Sequence, residues 1–532
     1  MKTLSPLLVG LALLGVLLAT AASAGAQPQQ RQESQEGFEE ILPGEAPLIL
    51  LTDEEVEELV ENELEAWVLI RESWGLMVDR REMIALAGTR EGQLGRDAYS
   101  IPLTYEERTE LDERGEATRN SSVGRAVVEE FDGYAEMFMD HQGGGMLTIN
   151  FNRDLTRGEE VEIRAAFEVP DRVAFRQVEF SLAELEAVVA DLELQRSRGE
   201  LAAVSSVVVS PMDNAVIVGV SEEGLTTSAN PVVSDRLLQQ VEREILAGYE
   251  AAVPEMIELQ PVPFVESAEA CWGRLNCGTA AADNWRGGTG LDTNRSGAFS
   301  SSNCTTGFVF VDGGLRYLST AGHCDKWSNR DVAIAGQDHG EFSPPGASSI
   351  DRFALNSFIT NWPVDGDSDL EGTTTADAAL IRITSARSDN RIYKSYQKRN
   401  WVINDEIKVP DFVANQIACV SGNVSQWRCG TIVTAVSPPE ELKFNDVNGN
   451  ERVVILNASF TYRFIMPGIL TSLSGNSGAP IIAGRAALGT HVSGTFFDLP
   501  NGNTQVDGRA SPINLIEAEF PGVSICLSAA DC

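Results

Sequence analysis

The sequence predicts an α+β region followed by an all-β region built as a barrel or a sandwich. Two observations predict this division. All eight cysteines lie from Cys271 onward, and from about residue 254 the chain breaks into short β-rich runs separated by Gly, Asn, Asp and Ser. Helical periodicity is confined to the part of the chain before the β-rich runs. A chain of 532 residues is also too long for one hydrophobic core.

The first 50 residues predict an export signal and a flexible leader. Lys2 is followed by the almost wholly apolar residues 7–18 and by small residues suited to cleavage, so residues 1–26 are interpreted as a secretory signal peptide. The alternative is a membrane anchor that is retained, but the apolar run is short for a membrane span. Residues 27–50 are rich in Gln, Glu and Pro. We therefore expect a secreted protein, extracellular or periplasmic, with no membrane attachment after signal removal.

Residues 51–253 contain three helix signals. Thr52 begins a capping-box pattern ahead of a Glu-rich helical segment. Ser181 begins a second such pattern, and the helix is expected over residues 181–194. Ser234 opens a third helix.

Strand signals alternate with these helices. Residues 146–151 and 161–163 alternate apolar and polar side chains as strands do. Residues 207–209 and 215–220, separated by a turn at residues 211–214, predict a hairpin. The region is therefore expected to be a compact α+β unit, and it contains no cysteine.

Residues 254–270 predict a linker that carries a processing site, because Pro254, Pro261 and Pro263 interrupt it. Residues 271–532 then contain the β-rich runs that define the all-β region. These runs cover residues 307–311, 378–383, 430–435, 453–459 and 479–482.

The charge of the chain excludes one class of function. It carries 78 acidic and 40 basic residues, a formal net charge of −38, and most of the acidic excess lies before residue 271. Because phosphate binding requires clustered Lys and Arg, nucleic-acid binding is not expected. We interpret the acidic surface as a solvated face.

The cysteines predict disulfides. An even number in an exported chain suggests four bonds, although spacing leaves their connectivity open. Proximity in the sequence suggests the pairs Cys271/Cys277, Cys304/Cys324, Cys419/Cys429 and Cys526/Cys532. A metal site is the alternative use of cysteine, but the chain has no Cys-x-x-Cys unit and only four histidines. No metal and no cofactor are expected.

Three short segments supply the residue types needed for nucleophilic acyl transfer: a serine, a base beside it and an acid that orients the base. His323 lies in Ser-Thr-Ala-Gly-His-Cys, Asp377 begins the apolar run Asp-Ala-Ala-Leu-Ile, and Ser477 lies in Gly-Asn-Ser-Gly-Ala-Pro. Each segment alone is common, but the three in this order form a specific pattern.

These segments resemble the catalytic segments of the chymotrypsin superfamily. The resemblance covers most of residues 271–532 and implies two six-stranded β-barrels with the catalytic triad between them. It implies that Ser477 attacks the scissile carbonyl while His323 acts as general base and then as general acid. Asp377 is expected to orient the imidazole. The backbone N–H groups of Gly475 and Ser477 are expected to form the oxyanion hole.

A second resemblance concerns residues 419–432, which resemble the disulfide hairpin of streptogrisins and α-lytic protease. Proteins of that group are made with an N-terminal pro-region that catalyses folding, and residues 143–149 and 207–220 are similar to strands of it. The resemblance implies that residues 51–253 form a removable pro-region, a folding catalyst and inhibitor. An accessory domain that stays attached is the alternative. Asn476 stands where most of the family has Asp, so activation is not expected to use an ion pair with a new N-terminus.

The primary specificity pocket has its own signal. The segment Gly-Thr-His-Val-Ser-Gly around His491 resembles glutamyl endopeptidases and picornaviral chymotrypsin-like proteases, which use this histidine to bind Glu or Gln. Ser472, Ser493 and Gly494 are expected to complete the pocket, and the absence of Asp from residues 467–473 argues against a pocket for Arg or Lys. The alternative is that His491 is a packed strand residue beside an apolar pocket.

Two other histidines, His141 and His339, have no recognisable partners and are interpreted as structural or surface residues.

The sequence therefore predicts a secreted serine endopeptidase that acts on peptides or proteins and is made with its own pro-region. A catalytically silent barrel used for binding is the rival hypothesis. An esterase of the α/β-hydrolase type is not favoured, because the order of Ser before His is not found.

Overall fold

The computed structural model describes most of the chain from Leu50 onward. The described residues are 50–201, 203–220, 235–246, 256–261, 285–288, 290–291, 304–324, 339–342, 351–356, 371–383, 388–394, 399–422, 425–437, 440–445, 451–456, 458–468, 476–528 and 532. The expected signal peptide, most of the leader, Cys271, Cys277, Ser472 and Gly475 lie outside them. Within the described part, no helix is both long and apolar enough to cross a membrane.

Five helices open the described part of the chain. They are α1 Asp53–Ser73, α2 Arg80–Ala87, α3 Arg90–Tyr99, α4 Tyr105–Thr118 and α5 Ser121–Val128. The Thr52 capping box is present at the start of α1, and Thr104 forms a second one at the start of α4. Of these five helices only α1 was expected from the sequence; α2, α3 and α5 have only 8, 10 and 8 residues.

The next segment folds as a three-stranded sheet with a crossover helix. Strand β1 Tyr134–Asp140 pairs antiparallel with β2 Met146–Phe151, and α6 Arg157–Ala165 leads to β3 Val173–Gln177, which is parallel to β2. The strand expected at residues 161–163 is therefore wrong, because these residues lie inside α6. The capping box of Thr156 starts the helix there, and three alternating residues cannot distinguish a strand from a helix turn.

The same order of elements then recurs. Helix α7 Leu182–Ser197 starts at the Ser181 capping box, and β4 Val204–Ser210 forms the expected hairpin with β5 Ala215–Val220. Helix α8 Asp235–Leu246 leads to β6 Ile257–Pro261, which is parallel to β5. Two sheets of identical strand order, each with a strand–strand–helix–strand path, thus form the N-terminal region.

The C-terminal region contains two large sheets. The first is an open six-stranded sheet in the order β12, β13, β15, β11, β10, β27 among the described residues. Its strands are β10 Val309–Asp312, β11 Leu315–Thr320, β12 His339–Phe342, β13 Asp351–Asn356, β15 Ala379–Ile383 and β27 Ser524–Ile525.

The second large sheet closes into a six-stranded barrel. Its strands are β19 Ile417–Gly422, β20 Gln426–Ser437, β23 Ser459–Met466, β24 Pro480–Ala483, β25 Ala486–Asp498 and β26 Thr504–Pro512. They follow one another around the ring in the order β25, β24, β19, β20, β23, β26, and β26 pairs back onto β25. One closed barrel is thus present, while closure of the first sheet into a second barrel stays a prediction.

Shorter elements connect these sheets. They are β7 Trp285–Gly287, β8 Gly290–Leu291, β9 Cys304–Thr305, β14 Glu371–Thr374, β16 Ser388–Lys394, β17 Arg399–Val402, β18 Asp405–Glu406, β21 Glu440–Asn445, β22 Glu451–Leu456 and α9 Ile513–Glu519. The absence of long helices expected for this region agrees with the single seven-residue helix α9 among its described residues.

Apolar packing joins the two regions. One buried cluster contains Trp67 and Trp74 from the N-terminal helices together with Trp427 and Cys429 of β20. At the edge of this cluster, Arg428 donates two hydrogen bonds to the carboxylate of Glu63, at 2.6 and 2.7 Å. The N-terminal region is thereby packed directly onto the hairpin β19–β20.

Candidate active site

The structure brings His323, Asp377 and Ser477 together where the two large sheets meet. His323 lies in a single 3-10 turn after β11, Asp377 directly precedes β15, and Ser477 precedes β24 of the closed barrel. Residues separated by 154 positions in the chain therefore share one site.

Asp377 is fully buried and holds His323 by two bonds. One carboxylate oxygen accepts the backbone N–H of His323 at 3.0 Å, and the other lies 2.7 Å from Nδ1 of its ring. The backbone N–H of Asp377 itself donates to Oγ of Ser511, on β26, at 2.9 Å. Because the carboxylate accepts from both the backbone and the ring of one residue, the imidazole has one favoured orientation and carries its proton on Nδ1.

That orientation directs Nε2 of His323 to the serine. The distance from Nε2 to Oγ of Ser477 is 2.8 Å. With Nδ1 protonated, Nε2 is an acceptor, so it can take the proton of the hydroxyl. Oγ also lies 3.3 Å from the backbone oxygen of Val492, a longer and weaker alternative.

The turn that carries Ser477 is fixed on both sides. The backbone oxygen of Ser477 accepts a hydrogen bond from the backbone N–H of Thr305 at 2.7 Å. The N–H of Gly478 donates to the backbone oxygen of His491 at 2.8 Å. Gly478 has a φ of +92°, and a Cβ there would collide with the backbone oxygen of Thr305. Only glycine fits this position, because it adopts positive φ and allows the close approach.

Asn476 holds the turn against the neighbouring hairpin. Its side chain is buried, and Oδ1 accepts the backbone N–H of Ser425 at 3.0 Å, in the turn between β19 and β20. A neutral amide, and not a carboxylate, thus makes this tertiary contact.

The predicted pocket residue His491 is buried next to Tyr462. Its Nδ1 lies 2.7 Å from the tyrosine oxygen, and the two rings meet edge to face with centroids 5.9 Å apart. Burial, helped by the positive charge that His323 can carry, lowers the pKa of His491 to about 3. Burial also raises the pKa of Tyr462 well above its usual value. The pair is therefore neutral near pH 7, and a phenol that donates to Nδ1 leaves the ring proton on Nε2.

Of the other predicted pocket residues, the structure describes Ser493 and Gly494. Gly494 lies beside His491, since a Cβ on Gly494 would contact Cε1 of that ring at 3.7 Å. Ser493 is half-buried on the same strand. Ser472 lies outside the described residues, as does Gly475 of the predicted oxyanion hole, so both assignments stay predictions.

The described residues form three disulfides: Cys304–Cys324, Cys419–Cys429 and Cys526–Cys532. The first joins β9 to the turn of His323. Cys271 and Cys277 lie outside the described residues. In the described part of the chain, no group of three or more acidic, His or Cys side chains is arranged to hold a metal ion.

Sequence reasoning missed Tyr462, Ser511 and the contacts of His141. The alternation of β23 indicates that Tyr462 faces the barrel interior, but no local pattern identifies its partner. His141, interpreted above as lacking recognisable partners, contacts Arg114 and Asn415.

Comparisons with known proteins give the following. No protein-family model and no curated protein matches the chain. Protease A of Thermobifida fusca is 21% identical, with 45% of this chain and 97% of that chain covered and a TM-score of 0.29. Chymotrypsin of Cellulomonas bogoriensis is 19% identical, with coverages of 46% and 98% and a TM-score of 0.29. A serine protease described as glutamic acid specific, with a histidine triad in substrate binding, is 20% identical, with coverages of 42% and 92% and a TM-score of 0.27. Similarities at this level do not establish a family for the chain.

Proposed function

We propose that the chain is the precursor of a secreted serine endopeptidase, and that residues 271–532 form its protease. The observation that supports this most directly is the unbroken series of hydrogen bonds from Asp377 through His323 to Ser477. In this proposal residues 51–253 are the removable pro-region. The export signal predicted for residues 1–26 and the three disulfides of the described residues suit an oxidising compartment outside the cell.

The mechanism follows from the geometry. Oγ of Ser477 attacks the carbonyl carbon of the substrate as its proton moves to Nε2 of His323. The imidazolium that forms is stabilised by the buried carboxylate of Asp377. The same proton then passes to the leaving amine as the C–N bond breaks and the acyl-enzyme remains. Water, activated by His323, hydrolyses that ester and restores Ser477.

For the substrate, we propose a preference for Glu or Gln before the cleaved bond. A neutral His491 with its proton on Nε2 presents a donor suited to a carboxylate or an amide oxygen. Because the imidazole carries no charge near pH 7, this contact is a hydrogen bond and not an ion pair. An apolar pocket is the alternative outcome of the test below.

Active-site labelling tests the proposed activity. A fluorophosphonate probe is expected to label the secreted chain at Ser477 and to fail with Ser477→Ala. A matched control, Ser459→Ala, removes a buried hydroxyl elsewhere in the barrel and should keep the label. Absence of labelling in the parent protein after removal of residues 51–253 would contradict the protease and favour a silent binding barrel.

Peptide cleavage tests the pocket separately. With substrates that differ only in Glu, Gln or Leu before the cleaved bond, the parent is expected to favour Glu and Gln. Loss of the hydrogen bond in His491→Ala should reduce that preference about tenfold to a hundredfold. Tyr462→Phe removes only the partner of Nδ1 and should give a smaller reduction. An unchanged preference for Leu in all forms would establish the apolar pocket.

A further inference from the structure

A short segment before β19, residues 411–415, belongs to the cores of both regions. Phe412 is fully buried in the barrel, where its ring lies 4.9 Å from that of Phe460. The next residue, Val413, is fully buried in the apolar cluster of the N-terminal region, with Met137 and Leu147. Consecutive side chains thus enter opposite cores, as they do in an extended segment between two layers.

Hydrogen bonds attach this docking segment to the edge of β1 and to α5. The N–H of Met139 donates to Ala414 at 2.9 Å, and Nδ2 of Asn415 donates back to the oxygen of Met139 at 2.8 Å. At the other end, Oδ1 of Asp411 accepts the N–H of Ser122, in the first turn of α5, at 2.7 Å.

His141 closes this contact just after β1. Its Nε2 lies 2.8 Å from the backbone oxygen of Asn415, and its Nδ1 lies 3.0 Å from Nη1 of Arg114. A guanidinium has donors only, so Nδ1 must accept and the ring proton must sit on Nε2, from which it donates to Asn415. The ring is 1% exposed. A second proton on Nδ1 would meet the hydrogen of Arg114 Nη1, and burial would leave the repulsion between the two cations poorly screened.

The charges around His141 do not compensate for such a proton. Arg114 comes from α4 and already pairs with Glu110, while its Nη1 also donates to the oxygen of Trp74. Asp140 is the neighbouring acid, and the group of the docking segment that contacts the ring is the neutral carbonyl of Asn415. The acid of that segment, Asp411, binds the N–H of Ser122 at the other end. Burial and the charge of Arg114 outweigh the effects of Asp140 and Asn415, and they lower the pKa of His141 to about 4.

We propose that His141 is an acid-sensitive latch whose protonation loosens the N-terminal region from the docking segment. The direction follows from the lowered pKa: the contact is fully stable above the ordinary histidine pKa and weakens as pH falls below it, until the buried ring itself titrates. The further idea, that this loosening promotes release of an inhibitory pro-region, rests on the proposed function. The loosening itself does not.

Hydrogen exchange of the full chain tests the latch, with Ser477→Ala to prevent cleavage. Opening of the amide of Met139, corrected for the intrinsic effect of pH, is expected to increase about twentyfold between pH 7 and pH 5. In His141→Gln, which stays neutral, the increase should be less than about threefold. Asn415→Gly keeps the backbone conformation and removes one bond, so it should open more at every pH with the full pH dependence.

The same experiment can overturn the proposal. An equal increase in His141→Gln, or equal opening of the barrel strand β23, would show that acid acts elsewhere. If His141→Gln does not fold, ¹³C labelling of the four histidines gives a second measure. A His141 ring that titrates near its ordinary value contradicts the latch. Since Ser477→Ala is inactive by design, failure of the proposed protease activity leaves this readout intact.

Discussion

The N-terminal and C-terminal regions are held together by different interactions. In the N-terminal region, Arg–Glu pairs such as Arg71–Glu107, Arg125–Glu136 and Arg172–Glu110 join helices and strands, and there is no cysteine. The described part of the C-terminal region has three disulfides and a closed barrel with an aromatic interior. Ion pairs and helix caps depend on pH and salt, whereas covalent bonds do not. The comparison shows one region held together by interactions that respond to pH and salt and one that also has covalent links.

The largest expected effect is on catalysis and comes from a substitution in the candidate active site. Asp377→Asn keeps the shape of the site but favours the wrong tautomer of His323, so kcat should fall about ten-thousandfold. The measurement is cleavage of a peptide by the processed enzyme. Asp405→Asn, on the edge strand β18, is the matched control and should keep nearly full activity. A loss below tenfold for Asp377→Asn would contradict the role assigned to that residue.

Removing a covalent link tests the C-terminal side of the comparison. Replacement of both Cys304 and Cys324 by Ala should lower the free energy of unfolding by about 3 kcal/mol, because the bond closes a loop of 20 residues. Urea unfolding of the Ser477→Ala protein measures it. The pair Cys526 and Cys532, which closes only 6 residues, should cost about 1 kcal/mol less. Equal losses of unfolding free energy for the two disulfides would show that their stabilisation does not come from the entropy of the unfolded chain.

Removing a helix cap tests the N-terminal side and has the smallest expected effect. Oγ1 of Thr104 accepts the N–H of Glu107 at 3.1 Å, so Thr104→Ala should cost about 1 kcal/mol of stability. Thr109→Ala, at an exposed position inside the same helix, is the control and should be neutral or slightly stabilising. The same urea experiment compares them. A larger loss in the control would show that the cap is not the source of stability.

The sequence predicted correctly those structural features that depend on residues close together in the chain. The capping boxes of Thr52 and Ser181 and the hairpin of β4 and β5 follow from residues only a few positions apart. Three short segments also identified His323, Asp377 and Ser477 as one site. The pattern failed at residues 161–163, where three alternating residues were too few.

Contacts between residues that are not close in the sequence could not be predicted in the same way. The partner of His491 is Tyr462 on another strand, and Val413 packs in the core of a region that ends before residue 262. Their side chains are ordinary apolar or aromatic residues in strand-like segments. Which core each one enters is set by how the sheets pack, and periodicity carries no information on that.

The cap of α5 has a consequence for the timing of synthesis. Asn120, at its N-terminus, makes no side-chain cap, and the first turn is capped by Asp411, 289 positions downstream of Ser122. At about 5–20 residues per second, a ribosome adds those residues in roughly 15–60 s. During that interval the first turn of α5 lacks its acceptor, so the helix reaches its final stability only after the start of the barrel has been made.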